Sequence, residues 1–453
     1  MRYVSTRGET TSLSFTEAVL TGLAPDGGLL VPDSIPQIGA KLSDWQALSF
    51  TELATEIIAL FVDDIPADDL RAIVNETYSH FDHEEIVPFT RVGDIEVLEL
   101  FHGPTLAFKD IALQLLGQLF EYILAARGQH LNILGATSGD TGSAAIAGVR
   151  GLADIDIFVM YPHGRISPLQ ELQMTTVLDP NVHCLSVSGS FDDCQKLMKT
   201  IFGDLEFKER YSLGAVNSVN WARVLAQIVY YGYASLRKGG DGPVTFCVPT
   251  GNFGNVFAGY LAKRMGFPIE KLIVATNEND ILSVFFATGR YERGDVRFTV
   301  TPAMDIQVAS NFERFLYYHM GSDAERLKRF MAEFAESGKV SIAAPGSEDF
   351  AATAVSVAET VEAIRSTYQT CGYVADPHTA VGLAAAGRFE TQGTRICLAT
   401  AHPAKFPETV NAAVGADVAR HPALQALQGR ESRTTQLPAS VAAIKSFIVQ
   451  HAR

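Results

Sequence analysis

From about residue 95 the chain repeats one pattern of apolar and polar positions. A short apolar or β-branched run is followed by a loop containing glycine or proline, and then by a segment with helical spacing of apolar residues. Such a succession predicts βα units of a parallel sheet. The first unit runs from the strand-like IEVLELF (95–101) through HGPTLA into a helix whose apolar face holds Ile111, Leu115, Leu116, Leu119 and Ile123, with Lys109 in its first turn. The second passes from LNILGA (131–136) through TSGDTG into SAAIAGVRG, and the third from PVTFCV (243–248) through PTGNFGN into VFAGYLAKRMG. Residues 395–402, RICLATAH, read as a strand ending at Thr400. Before residue 90, turn signals at Gly27, Gly28, Pro32 and Pro36 mix with helical spacing at Leu53, Ile57, Leu60 and Phe61, which predicts an N-terminal accessory unit. After about residue 418 no motif is legible.

The length, 453 residues, suggests roughly three domain-sized units. With 47% hydrophobic and 19% charged residues the chain has the composition of a globular protein. Its 36 basic residues are outnumbered by 51 acidic ones and are scattered, which argues against nucleic acid or an anionic membrane as partner. The five cysteines form neither a CxxC pair nor a disulfide framework, so a reducing compartment fits. MRYVSTRGETTSLSF lacks a signal-like region, and no stretch reaches the roughly 18 apolar residues of a membrane span. A cytoplasmic location is expected.

In open parallel sheets, ligands bind beyond the carboxyl ends of strands, where helix N-termini offer unpaired N–H groups. The PTGNFGN loop suits a phosphate: Gly251 and Gly254 permit close approach, and Asn252 and Asn255 add donors. It fits a plain tight turn equally well. Neither a Walker lysine nor GxGxxG is present. A lone lysine near a helix start is ordinarily a surface group. Lys109, however, lies where the helix dipole disfavours a cation and would lower its pKa, as Schiff-base chemistry requires. The Thr400 hydroxyl alone reads as a strand cap. His80 and His83 form an HxxH without the HExxH order or a third ligand, so no metal is expected.

Together, LAPDGGLLVP (23–32), HGPTLAFKDIA (102–112), GATSGDTGSAA (135–145), ISPLQELQM (166–174), VNSVNWAR (216–223), PTGNFGNVFAG (249–259), TPAMDIQVASNFERF (301–315), DPHTAVG (376–382) and TAHPAKF (400–406) resemble the threonine synthases. These are pyridoxal-phosphate enzymes of the tryptophan-synthase-beta-like fold (fold type II), here the branch with a long N-terminal extension. The resemblance implies an α/β fold with two parallel or mixed α/β domains plus an N-terminal accessory domain. The expected borders are 1–92 for the accessory domain, 93–128 and 220–453 for the large cofactor-binding domain, and 129–219 for the small domain.

Carried over by position, the resemblance makes Lys109 the lysine that holds pyridoxal 5'-phosphate as a Schiff base, with Phe108 packed beside it. Gly251, Asn252, Phe253, Gly254 and Asn255 become the phosphate cradle, and Thr400 the partner of the pyridine nitrogen. Asp140 stands where many enzymes of this fold have asparagine donating to the cofactor; as a carboxylate it accepts rather than donates. The implied reaction converts O-phospho-L-homoserine and water to L-threonine and phosphate. Thr137, Ser138, Asn217, Arg223, Arg165 and Ser167 are candidates for gripping the substrate's two anions. The alternatives are another reaction on the same fold, such as serine or threonine dehydration, and a catalytically silent cofactor-binding relative. A monomer or homodimer is expected.

Overall fold

Each apolar run becomes a strand because its alternate residues have two helical layers to enter. The computed structural model describes residues 1–240, 242–343 and 346–453. Its two main sheets are built from β1 (Phe89–Val92), β2 (Ile95–Glu99), β3 (Leu131–Ala136), β4 (Ile155–Pro162), β5 (Val182–Ser188), β6 (Leu213–Gly214), β7 (Val244–Pro249), β8 (Ile269–Thr276), β9 (Phe350–Ala354), β10 (Arg395–Ala399) and β11 (Thr435–Pro438). The large sheet has the order β9-β8-β7-β10-β2-β1 and is parallel except for the edge pair β1 and β2. The small sheet, β11-β5-β4-β3-β6, is parallel throughout.

Alternation sorts the large sheet's side chains into two cores. Val97, Cys247, Ile273 and Cys397 join a cluster with Ala380 and Val381. Leu98, Phe246, Val274 and Leu398 enter the opposite, larger cluster. Helices α1 (Lys109–Arg127), α2 (Asp140–Val149), α3 (Trp221–Lys238) and α4 (Gly254–Met265) carry the residues that matter below. All five residues expected on the apolar face of α1 are buried. Its crossing with α2 is backbone against backbone: a Cβ on Gly117 would lie 1.8 Å from the Gly148 carbonyl oxygen.

The N-terminal residues form a hairpin, Tyr3–Ser5 against Leu30–Pro32, and helices that pack on α1 and α3. Tyr3 packs against Trp221, the rings tilted by 55° with centroids 5.8 Å apart. In contrast to the expected borders, residues 89–92 pair with the large sheet, and not all of 220–453 stays in the large unit. Strand β11 lies along β5, and the helix Val441–His451 buries Ile444 and Ile448 against Leu185, Val187 and Leu197. β2 stops at Glu99, and α2 begins at Asp140, inside the segment read as loop. Among the described residues no helix is long and apolar enough to cross a membrane.

Candidate active site

Lys109 opens α1 directly after the loop that leaves β2, and that loop is pinned to the end of β10. Phe108 N–H donates to the Thr400 carbonyl at 2.9 Å, and His402 N–H to the Leu106 carbonyl at 3.0 Å. Thr400, just past the end of β10, is thereby fixed beside the start of α1. A cavity of about 120 Å³ lies at this carboxyl end of the large sheet, lined by Lys109, Phe108, Thr400, the whole 251–255 loop, Arg223 and His378 among others. A larger one, about 790 Å³, opens between Asp94, Arg388 and Arg395 at the amino ends of β2 and β10. Strand-end chemistry of this fold class belongs to the carboxyl side, so the smaller cavity is the candidate site.

Burial pushes the Lys109 amine below the ordinary lysine range; Lys405 and Arg223 add to the effect, while Asp140 opposes it. The lysine Nζ lies 5.2 Å from the Phe108 ring centroid.

The loop between β7 and α4 turns sharply because Phe253 sits in the left-handed region, with φ of 63°, held there by packing on Phe286, Phe312 and Phe315. Among the described residues the N–H groups of 251–255 donate to no protein group. Tyr230 and Tyr231 hydroxyls donate to Asn255 Oδ1 at 2.6 and 2.8 Å, which turns its Nδ2 the other way and leaves that donor buried with no partner among the described residues. At Gly251 a Cβ would meet the Ala303 carbonyl oxygen at 2.4 Å. A ring of unpaired donors at a helix N-terminus is an anion site.

Arg223, in the first turn of α3, is 6% exposed, and its Nε and Nη1 find no partner among the described residues. Burial lowers its pKa to about 10, so it stays a cation at neutral pH. Of the other residues expected to grip substrate, none lines the cavity. Thr137 Oγ1 accepts from the N–H groups of Gly139 and Gly142 and so shapes its own loop. Ser138 and Arg165 are exposed. Ser167 caps the helix Pro168–Thr175. Asn217 Oδ1 accepts from Val219 N–H at 3.1 Å.

Residues 2–78 match the family described as threonine synthase N terminus, residues 97–399 the pyridoxal-phosphate dependent enzymes, and residues 379–448 the threonine synthase C-terminal family. Threonine synthase of Schizosaccharomyces pombe is 49% identical, the alignment covering 91% of this chain and 89% of the relative. That of Pseudomonas aeruginosa is 46% identical over 100% of this chain and 98% of its own. The solved structure of PLP-bound threonine synthase from Brucella melitensis superposes with a TM-score of 0.97 at 46% identity, each chain fully covered. The chain belongs to the threonine synthase family.

As a threonine synthase family member and a pyridoxal-phosphate enzyme, the chain needs a seat for that cofactor, and the residues present fit it. The unpaired donors of 251–255 and the Asn255 amide suit its phosphate, the desolvated Lys109 amine its aldehyde, and the Thr400 hydroxyl its ring nitrogen. Several residues around the site carry no local signal in the sequence. Lys405, Gln170 and Gln173 lie inside quoted motifs, TAHPAKF and ISPLQELQM, and stand behind the cavity, around Asp140 and Thr105, rather than lining it. Asn311 donates to the Ser218 and Asn252 carbonyls, and Arg314 holds Asn311 in turn, Nη1 to Oδ1 at 2.6 Å.

Proposed function

We propose that this site converts O-phospho-L-homoserine and water to L-threonine and inorganic phosphate, the activity of a carbon–oxygen lyase acting on a phosphate ester. The observation that carries the reading is Arg223: a second buried, uncompensated anion-seeking group faces the same cavity as the 251–255 cradle. One anion site suits the cofactor's phosphate. A guanidinium beyond it suits a substrate that brings anions of its own, bidentate and charge-assisted.

When bound, pyridoxal phosphate supplies the electron-withdrawing ring that stabilises negative charge on the substrate carbons. The protein supplies the rest. Lys109 Nζ, whose proton burial makes easier to lose, accepts the proton from the substrate α-carbon and carries protons to and from the β- and γ-carbons as phosphate leaves and water adds at the β-carbon. The Thr400 hydroxyl, which lines the cavity, would give the ring nitrogen a neutral partner and so make the ring a weaker electron sink than a carboxylate would. Asp140 is too acidic in this setting to act as a donor.

Incubation with phosphohomoserine should release phosphate and threonine in equal amounts, and Lys109→Ala should abolish both. Keto acid released from serine or phosphohomoserine without threonine would overturn the proposal. Arg223→Ala should raise KM for phosphohomoserine by about tenfold or more, the usual scale for a charge-assisted contact, with the cofactor still bound.

A further inference from the structure

Behind Lys109 lies a second lysine that no step above uses. Lys405, in the turn after β10, has a side chain with 0% exposure. Its ammonium meets three oxygens: the Thr105 carbonyl at 2.7 Å, Gln173 Oε1 at 3.0 Å and Asp140 Oδ1 at 3.0 Å. Two of these are hydrogen-bond acceptors, the Thr105 and Gln173 oxygens, and the third is the ion-paired Asp140 carboxylate. Gln170 Nε2 also donates to Asp140 Oδ1, at 2.9 Å. Lys109 Nζ stands off from the other oxygen, Asp140 Oδ2, by 3.7 Å, beyond a hydrogen bond.

We infer that Lys405 is a positioning residue: its buried ammonium claims the Asp140 carboxylate, and so deprives the Lys109 amine of a counter-ion of its own. The inference rests on Lys109 being the cofactor-bearing lysine. The charged groups that face Lys109 are Asp140 from α2, Lys405 from the turn after β10, Arg223 from α3 and Asp110 from its own helix. Asp110 is already committed, accepting from Thr105 N–H at 2.8 Å and its hydroxyl at 2.6 Å. Asp140 is therefore the one carboxylate whose allegiance can change. Held by Lys405 at 3.0 Å, Asp140 has its charge offset by that ammonium and stabilises the Lys109 cation less than it would alone; released, it would favour the Lys109 ammonium more strongly. This also gives a reason for a carboxylate in TSGDTG: the residue is paired with a lysine from a distant loop rather than donating to a ligand.

The test reads the amine directly in the full-length chain freed of cofactor. Trace acetylation of Lys109 by acetic anhydride at a series of pH values, quantified by peptide mass spectrometry, gives the midpoint of its free-amine fraction. Lys405→Met should raise that midpoint by about one unit, a roughly tenfold loss of labelling at a fixed pH below it, the scale of a nearby opposite charge. Lys405→Arg should hold the midpoint within about threefold of wild-type labelling, because the cation is kept. The double variant Lys405→Met/Asp140→Asn removes both charges, which buried sites often tolerate, and should label at or below the wild-type midpoint. That comparison decides the matter even where the single methionine variant does not fold. An unchanged midpoint in Lys405→Met, or a raised one that persists in the double variant, overturns the inference. Substrate turnover does not enter the readout, so such a failure leaves the proposed reaction standing.

Discussion

A methyl group at residue 251 has nowhere to go, because the Ala303 carbonyl oxygen would lie 2.4 Å away. Gly251→Ala should therefore displace the loop between β7 and α4 and weaken cofactor binding by about tenfold or more, the cost of moderate overpacking; a fluorescence titration with pyridoxal phosphate measures it. Two buried histidines contribute to the acid response of the fold. Burial holds His183 and His402 down to about 4 from the ordinary 6.5. Between those values the unfolded chain binds protons that the folded chain does not, so stability falls as the pH drops from about 6.5 towards 4. Urea midpoints at several pH values should show that slope, and His183→Phe with His402→Asn should flatten it. At this scale the strand ends and helix starts that carry Lys109, Thr400 and the 251–255 loop are legible in the sequence, and the fold brings them to one cavity; their cofactor roles come from the resemblance, because alone each fits a surface lysine, a strand cap or a tight turn. Lys405 was not legible. Its meaning comes from Asp140, Gln173 and Thr105, which approach it only in the folded chain.

Among the elements, α1 and α2 meet at Gly117 and Gly148 with no side chain between them. That contact fixes Lys109 and Asp140, which open the two helices. Gly117→Ala should cost about 1–3 kcal/mol or more, as overpacking of a tight contact does, seen as a lowered Tm, and should change Lys109 acylation through the altered Asp140 distance. The βα units themselves were readable from periodicity, since continuous apolar runs such as VTFCVP are what strands buried on both faces require. β11 was unreadable for the opposite reason. In TQLP only Thr435 and Leu437 are partly buried, and four residues carry too short an alternation to register.

Across the whole molecule, the N-terminal hairpin braces the cofactor seat. Arg314, fully buried, donates through Nε and Nη2 to the Leu30 carbonyl at 3.1 and 2.9 Å and through Nη2 to the Val219 carbonyl at 2.6 Å, while holding Asn311 against the 251–255 loop. Arg314→Met should strand those acceptors, at about 1–3 kcal/mol for each unsatisfied group. A denaturant titration and a cofactor titration should fail together, which marks the extension as part of the seat rather than an appendage.

The long-range closure of the small sheet has a consequence for synthesis. β5 is complete early, but its outer partner β11 lies more than half the chain later. On the ribosome the outer backbone edge of β5 must therefore wait, unpaired, while most of the large sheet is made. That is the interval in which a bare strand edge recruits the wrong partner, so a chaperone that shields it during translation should raise the yield of this protein more than one added after release.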